Sequence, residues 1–99
     1  WFEGDRDMSS CRSSGVLTGS AVVFSGKCKL VSIHACEVAG SAAIVKVWDN
    51  SKTATGKELA RIVLSANQTV EFDMHGVICS NGLFFEEDTG QVAVSIEFA

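Results

Sequence analysis

The chain contains no proline, so none of its turns is set by a prolyl φ lock. It also has no lysine or arginine beyond Arg61. Residues 62–99 carry Glu71, Asp73, Glu86, Glu87, Asp88 and Glu97 with no basic side chain, a balance of −6; residues 1–61, with eight Lys/Arg and six Asp/Glu, stand at +2. An acidic chain without a basic stripe argues against nucleic acid as a partner, because phosphate contacts dominate that affinity. The asymmetry suits a solvated acidic face or association with a basic surface. There is no apolar run of about 18 residues, so no membrane-spanning segment is expected, and no signal-peptide pattern is visible. The sequence starts on Trp1 rather than Met, which reads as a processed or trimmed product.

Motifs that carry chemistry are equally scarce. Gly-rich phosphate loops and G-x-S-x-G elbows are absent. Cys11, Cys28, Cys36 and Cys79 do not have the C-x-x-C spacing of metal knuckles. On one straight strand Cys28 and Cys36 would lie roughly 26 Å apart, far beyond the reach of a disulfide. Free thiols in a reducing compartment, packed as small hydrophobes, are the favoured reading; a cross-link from Cys11 to Cys28, Cys36 or Cys79 stays open. His34 and Cys36, with Ser32 and Cys28, fall on one face by strict alternation. A nucleophile there would need an orienting carboxylate and an oxyanion hole, and no motif supplies them. His75 reads as a turn residue before Gly76. Glu86-Glu87-Asp88 offers oxygen donors for Ca²⁺ but not the D-x-D-x-D-G arrangement. Asn67-Gln68-Thr69 matches a glycosylation sequon, discounted without a secretory signal. The expectation is a protein that is not an enzyme, with no catalytic residue, cofactor or metal.

What the chain does have is strand patterning. Its 99 residues fit one domain, and 46% hydrophobic with 20% charged residues fits an ordered globular one. Ala42–Leu64 reads as strand, polar turn, strand: Ile44, Val45 and Val47 run up to Trp48, Asp49 to Gly56 supply turn chemistry, and Leu59–Leu64 is apolar again. A helix over Lys57–Ala66 is the competing reading. Cys28–Glu37 predicts a longer strand, bulged where its apolar set changes face between Leu30 and Ile33. Val16–Leu17 and Ala21–Phe24 read as a short pair around Thr18-Gly19-Ser20. Val70, Phe72 and Met74 alternate with polar neighbours, as do Val92, Val94, Ile96 and Phe98, the period of a half-buried strand. Ser80-Asn81-Gly82 between apolar runs predicts a hairpin or a bulge. Residues 1–14 read as an N-terminal arm and residues 15–99 as an all-β domain. Seven to eight short strands at this spacing predict a small antiparallel β-sandwich, jelly-roll-like or Ig-like.

Over residues 15–98 the chain resembles small tailed-bacteriophage virion proteins. The likeness is carried by Trp48-Asp49-Asn50 leading into a loop with Thr53, Thr55 and Gly56, then Val70 and Phe72, then Ser80-Asn81-Gly82-Leu83 and an alternating last strand. The resemblance implies a β-sandwich of the head decoration (cement) type, on the capsid surface of a virion and made in the host cytoplasm. Its partners would be the major capsid protein and further copies of itself, as trimer or dimer. It implies no catalytic residue. The four cysteines and the Trp/Phe-bearing arm depart from the pattern. Candidate interface residues are Trp1, Phe2, Trp48, Asp49, Asn50, Phe84, Glu86, Glu87 and Asp88. The alternative is a carbohydrate- or receptor-binding β-module with Trp48 as its platform.

Overall fold

In the computed structural model, residues 11–99 are described. They form eight strands: β1 (Arg12–Ser13), β2 (Ala21–Ser25), β3 (Cys28–Glu37), β4 (Ala43–Asp49), β5 (Lys57–Leu64), β6 (Thr69–Cys79), β7 (Gly82–Thr89) and β8 (Val92–Phe98). Two antiparallel sheets, ordered β1-β8-β3-β6 and β2-β7-β4-β5, make a β-sandwich. This is the strand order of a jelly roll, in which successive strands wrap alternately onto one sheet and the other. No helix forms among the described residues, and so none is long and apolar enough to cross a membrane.

The period-two runs place the core. Ala43, Val45 and Val47 of β4 point inward with Ile62 and Leu64 of β5 and Leu83 and Phe85 of β7. Against them stand Leu30, Ile33 and Ala35 of β3 and Val92, Val94, Ile96 and Phe98 of β8. β3 changes face at Val31, where its register against both neighbours shifts. Opposite that point β6 carries His75 at φ 56° and Gly76 at φ 77°, so His75-Gly76 is a bulge inside a long strand and not a turn. Because of the bulge Cys28 faces the core while Ser32 faces out, correcting the strict alternation that put them on one face. At the β1/β2 edge the Arg12 guanidinium lies 5.2 Å from the Phe24 ring centroid and 5.5 Å from that of Phe98. Residues 12–13, at the end of the stretch read as an arm, thus belong to the sandwich; Trp1 and Phe2 lie outside the described residues.

Lys57–Leu64 is a strand, and β4/β5 is the one hairpin among the described strands. Every other connection crosses between the sheets. That corrects two sequence expectations. Leu17 bridges Val94 of β8 rather than pairing with β2. Ser80-Asn81-Gly82 is an inter-sheet crossing, not a hairpin, since β6 pairs with β3 while β7 pairs with β2 and β4. Gly82 (φ 151°) is needed there for space: a Cβ would come within 2.6 Å of the Phe24 carbonyl oxygen and 3.0 Å of Ser51 Cα.

Crossings leave backbone N–H groups without ladder partners, and a buried orphan donor is costly. At one end of the sandwich the buried carboxylate of Glu37 meets three of them, accepting from Ala39 N (2.7 Å), Gly40 N (2.9 Å) and Asn67 N (2.8 Å). It thereby ties the β3–β4 crossing to the β5–β6 crossing. Backbone bonds from Glu37 N to Gln68 O and from Val38 N to Gln91 O add the β7–β8 crossing to the same knot.

Candidate docking face

The outer face of the β2-β7-β4-β5 sheet collects four of the seven candidate interface residues that lie in the described part of the chain. Ladder registry puts Val22, Phe84 and Trp48 in one row across β2, β7 and β4. Val22 is 45% exposed, and Phe84 and Trp48 are half-buried. The next row is charged: Glu86, Lys46 and Arg61 stand opposite one another on β7, β4 and β5. A third row pairs Ile44 with Val63, the latter 66% exposed.

One charged side chain, Glu86, bonds to the aromatic row. The Trp48 indole Nε1–H donates to Glu86 Oε1 at 3.0 Å. Lys46 Nζ lies 3.2 Å from Asp88 Oδ2. Asp88 reaches the outer face because β7 carries an extra residue between Glu87, opposite Val45, and Thr89, opposite Ile44. Arg61 forks onto Glu58 with two bonds of 2.8 Å, which hold the Glu58 carboxyl below its ordinary range and raise the guanidinium. Such partly exposed pairs add little stability.

Asp49 does not belong to this face. It is buried, and its carboxylate accepts from Asn81 N (2.8 Å), Ser80 N (3.1 Å) and Gly82 N (3.3 Å). Burial alone would raise its pKa; the three backbone donors, with Lys57 nearby, outweigh that and hold it below the usual carboxylate range. Asp49 is thus the clamp on the β6–β7 crossing, and its reading as a displayed contact residue is corrected. Asn50 is also turned to local work. Its Oδ1 accepts from Lys52 N and Thr53 N, and its Nδ2 donates to the carbonyl and hydroxyl oxygens of Thr55, an Asx turn that shapes the β4–β5 loop. Glu87 is divided: its backbone N donates to Ser20 Oγ, and its Oε2 accepts from Val92 N at 3.3 Å. Trp48, Phe84, Glu86 and Asp88 are therefore the candidates that share the face. Val22, Lys46 and Val63 join them, the last two as the alternation of β4 and β5 implies.

The opposite sheet displays His34 and Cys36. His34 sits between two carboxylates, with Nδ1 2.9 Å from Glu97 Oε1 and Nε2 3.1 Å from Glu71 Oε2. Ser32 Oγ donates to the same Glu97 oxygen. Cys36 Sγ instead accepts from Thr69 Oγ1 at 3.3 Å. Both imidazole nitrogens face carboxylates, so neither is aimed at the thiol, and the nucleophile–base hydrogen bond of a Cys/His dyad is missing from the arrangement. No group of three His, Cys, Asp or Glu side chains placed to hold a metal occurs among the described residues.

The chain matches no protein-family model, no curated protein and no solved structure.

Proposed function

We propose that this protein is a non-enzymatic virion structural component, a capsid decoration protein that binds and stabilises the assembled phage head. The observation that carries the reading is the row Val22–Phe84–Trp48 on the outer face of a sandwich sheet, bordered by Glu86, Lys46 and Asp88. Two half-buried aromatics, one of them bonded through its indole to Glu86, with apolar surface still open beside them, have the composition of an interface anchor. The jelly roll supports the same reading at the level of architecture, since virus capsid domains use it; lectin domains and others use it too, so this part is an analogy.

The partner is the major capsid protein, with further copies of this chain completing a trimer or dimer at a junction between capsid subunits. Trp48 and Phe84 supply the desolvated centre of the contact, and the acidic residues of β7 meet basic residues of the capsid. Binding to the assembled lattice and not to free subunits stabilises the lattice by mass action. In a sedimentation assay on intact particles, the wild-type chain is expected to co-sediment in fixed stoichiometry with capsid protein. Trp48→Ala is expected to weaken that binding at least about tenfold without altering the circular-dichroism spectrum. Particles that carry none of this chain would overturn the proposal.

The alternative, a carbohydrate- or receptor-binding module of a tail or secreted protein, draws on the same indole, since Trp48 anchored through Nε1 to Glu86 presents a fixed ring. The polar side chains of its flanking loop favour docking over sugar binding: Asn50, Thr53 and Thr55 are bonded to one another or to the loop backbone. Glycan binding abolished by Trp48→Ala would reverse that preference.

A further inference from the structure

Cys28 and Cys79 stand directly opposite each other on the β3/β6 ladder. Facing residues of an antiparallel pair have Cα atoms about 4.5–5.5 Å apart, inside the range of about 4.4–6.8 Å that a disulfide spans. Both are free, buried thiols, and the Cys79 thiol donates to the Val77 carbonyl oxygen at 3.5 Å. They lie at the end of the sandwich where the β6–β7 crossing is clamped, and both point into the core. Cys11 and Cys36 are more open to solvent, and Cys36 occupies the outer face.

We propose that Cys28 and Cys79 are a thiol–disulfide switch, closed by exchange with a small-molecule disulfide such as oxidised glutathione. The two thiols have unequal roles. Cys28 is 7% exposed and borders a hollow of about 350 Å³ that is also lined by Lys27, Lys29, Ile78 and Ala99. The two lysines among its lining residues favour an anionic, carboxylate-bearing disulfide. Cys79 is fully buried, and burial pushes its thiol up to about 12, so it is a poor first attacker. Cys28 therefore loses its proton and attacks one sulfur of oxidised glutathione. The glutathione S–S bond breaks, a Cys28–glutathione mixed disulfide forms, and one glutathione leaves, taking up the proton. Cys79 then loses its proton and attacks Cys28 Sγ. The mixed disulfide breaks, the Cys28–Cys79 bond forms, and a second glutathione leaves with that proton. Two protein thiols are oxidised and one glutathione disulfide is reduced, with no other reactant. Burial also raises Cys28, so the first step is slow in the closed sandwich and quickens when the ends of β3 and β6 part.

The closed bond would span the chain from β3 to the end of β6 and restrict the unfolded state accordingly. The test uses the full chain carrying Cys11→Ser and Cys36→Ser, incubated with oxidised glutathione in native buffer and in sub-denaturing urea. The expected product is a monomer lighter by two hydrogens, with no thiol titrating after denaturation and a Tm raised by about 10 °C or more. Adding Cys79→Ser, or Cys79→Ala should the serine unfold the chain, is expected to stop the reaction at one glutathionyl group on Cys28. Two thiols still titrating under both conditions, a disulfide-linked dimer, or a persistent glutathione adduct with Cys79 intact would each overturn the proposal.

Discussion

Replacing Asp49 by alanine is expected to destabilise the sandwich by about 3–5 kcal/mol, a large share of the roughly 5–15 kcal/mol available to a small domain. The cost arises at the three N–H groups of Ser80, Asn81 and Gly82, which meet at one buried carboxylate. Each orphaned buried donor costs about 1–3 kcal/mol. Water is a poor substitute, because the crossing packs tightly: Gly82 lies against the Phe24 carbonyl and the backbone of Asn50 and Ser51. Urea denaturation of wild type, Asp49→Ala and Asp49→Asn measures the effect. The Asp49→Asn variant would keep one acceptor oxygen and is expected to fall between the other two. The same series separates structure from docking: Trp48→Ala should lose particle binding at nearly unchanged stability, whereas Asp49→Ala should lose binding only as far as it unfolds. An Asp49→Ala protein of full stability that no longer binds would make Asp49 a contact residue after all.

Glu37→Gln is expected to lower the Tm by about 10 °C and to flatten the acid limb of the stability profile. The bonds from Asn67 N, Ala39 N and Gly40 N outweigh burial and hold the Glu37 carboxyl below its ordinary range. In the unfolded chain that carboxyl takes up its proton near its ordinary value, about 4.3. Below that pH the unfolded state binds more protons than the folded one, so stability rises with pH there. The contribution is complete above the ordinary carboxylate range and drains away as pH falls through the lower, folded value. Asp49 acts with the same sign at the other end of the molecule. The wild type should therefore unfold steeply in acid, and each single variant should lose part of that steepness. Chemical denaturation at a series of pH values between about 2 and 7 is the check; equal slopes for wild type and Glu37→Gln would deny Glu37 this role.

The sandwich itself was legible because strands such as β4 and β8 follow a period of two. Val92, Val94, Ile96 and Phe98 read inward from sequence alone and are buried, and the change of face in β3 announced its bulge. The connections were harder to read. Asn81-Gly82 signals a tight change of direction, and the local sequence is the same whether the chain returns to its own sheet or crosses to the other. For the site, Trp48 was legible as an aromatic at a strand end, but its bond to Glu86 depends on the β4/β7 registry, which joins segments 38 residues apart in the chain. Asp49 was misread for a related reason. An Asp beside Asn and Ser looks like turn chemistry, and its partners lie more than thirty residues away. Cys28 and Cys79 became neighbours through the β3/β6 ladder, a pairing that their spacing does not disclose.

The wrapping of strands from sheet to sheet has a consequence for how the molecule comes into being. β3, the middle of one sheet, has no partner until β6 is made and no second one until β8 is made. Among the described strands, only β4 and β5 pair as neighbours in the chain, which makes them the natural starting point of an otherwise non-local and therefore slow assembly. During synthesis β3 waits as an unpaired strand, the condition in which sheets recruit the wrong partner. The lack of proline then takes on a kinetic meaning: no prolyl isomerisation is added to that wait, and the interval before native pairing is set by topology alone.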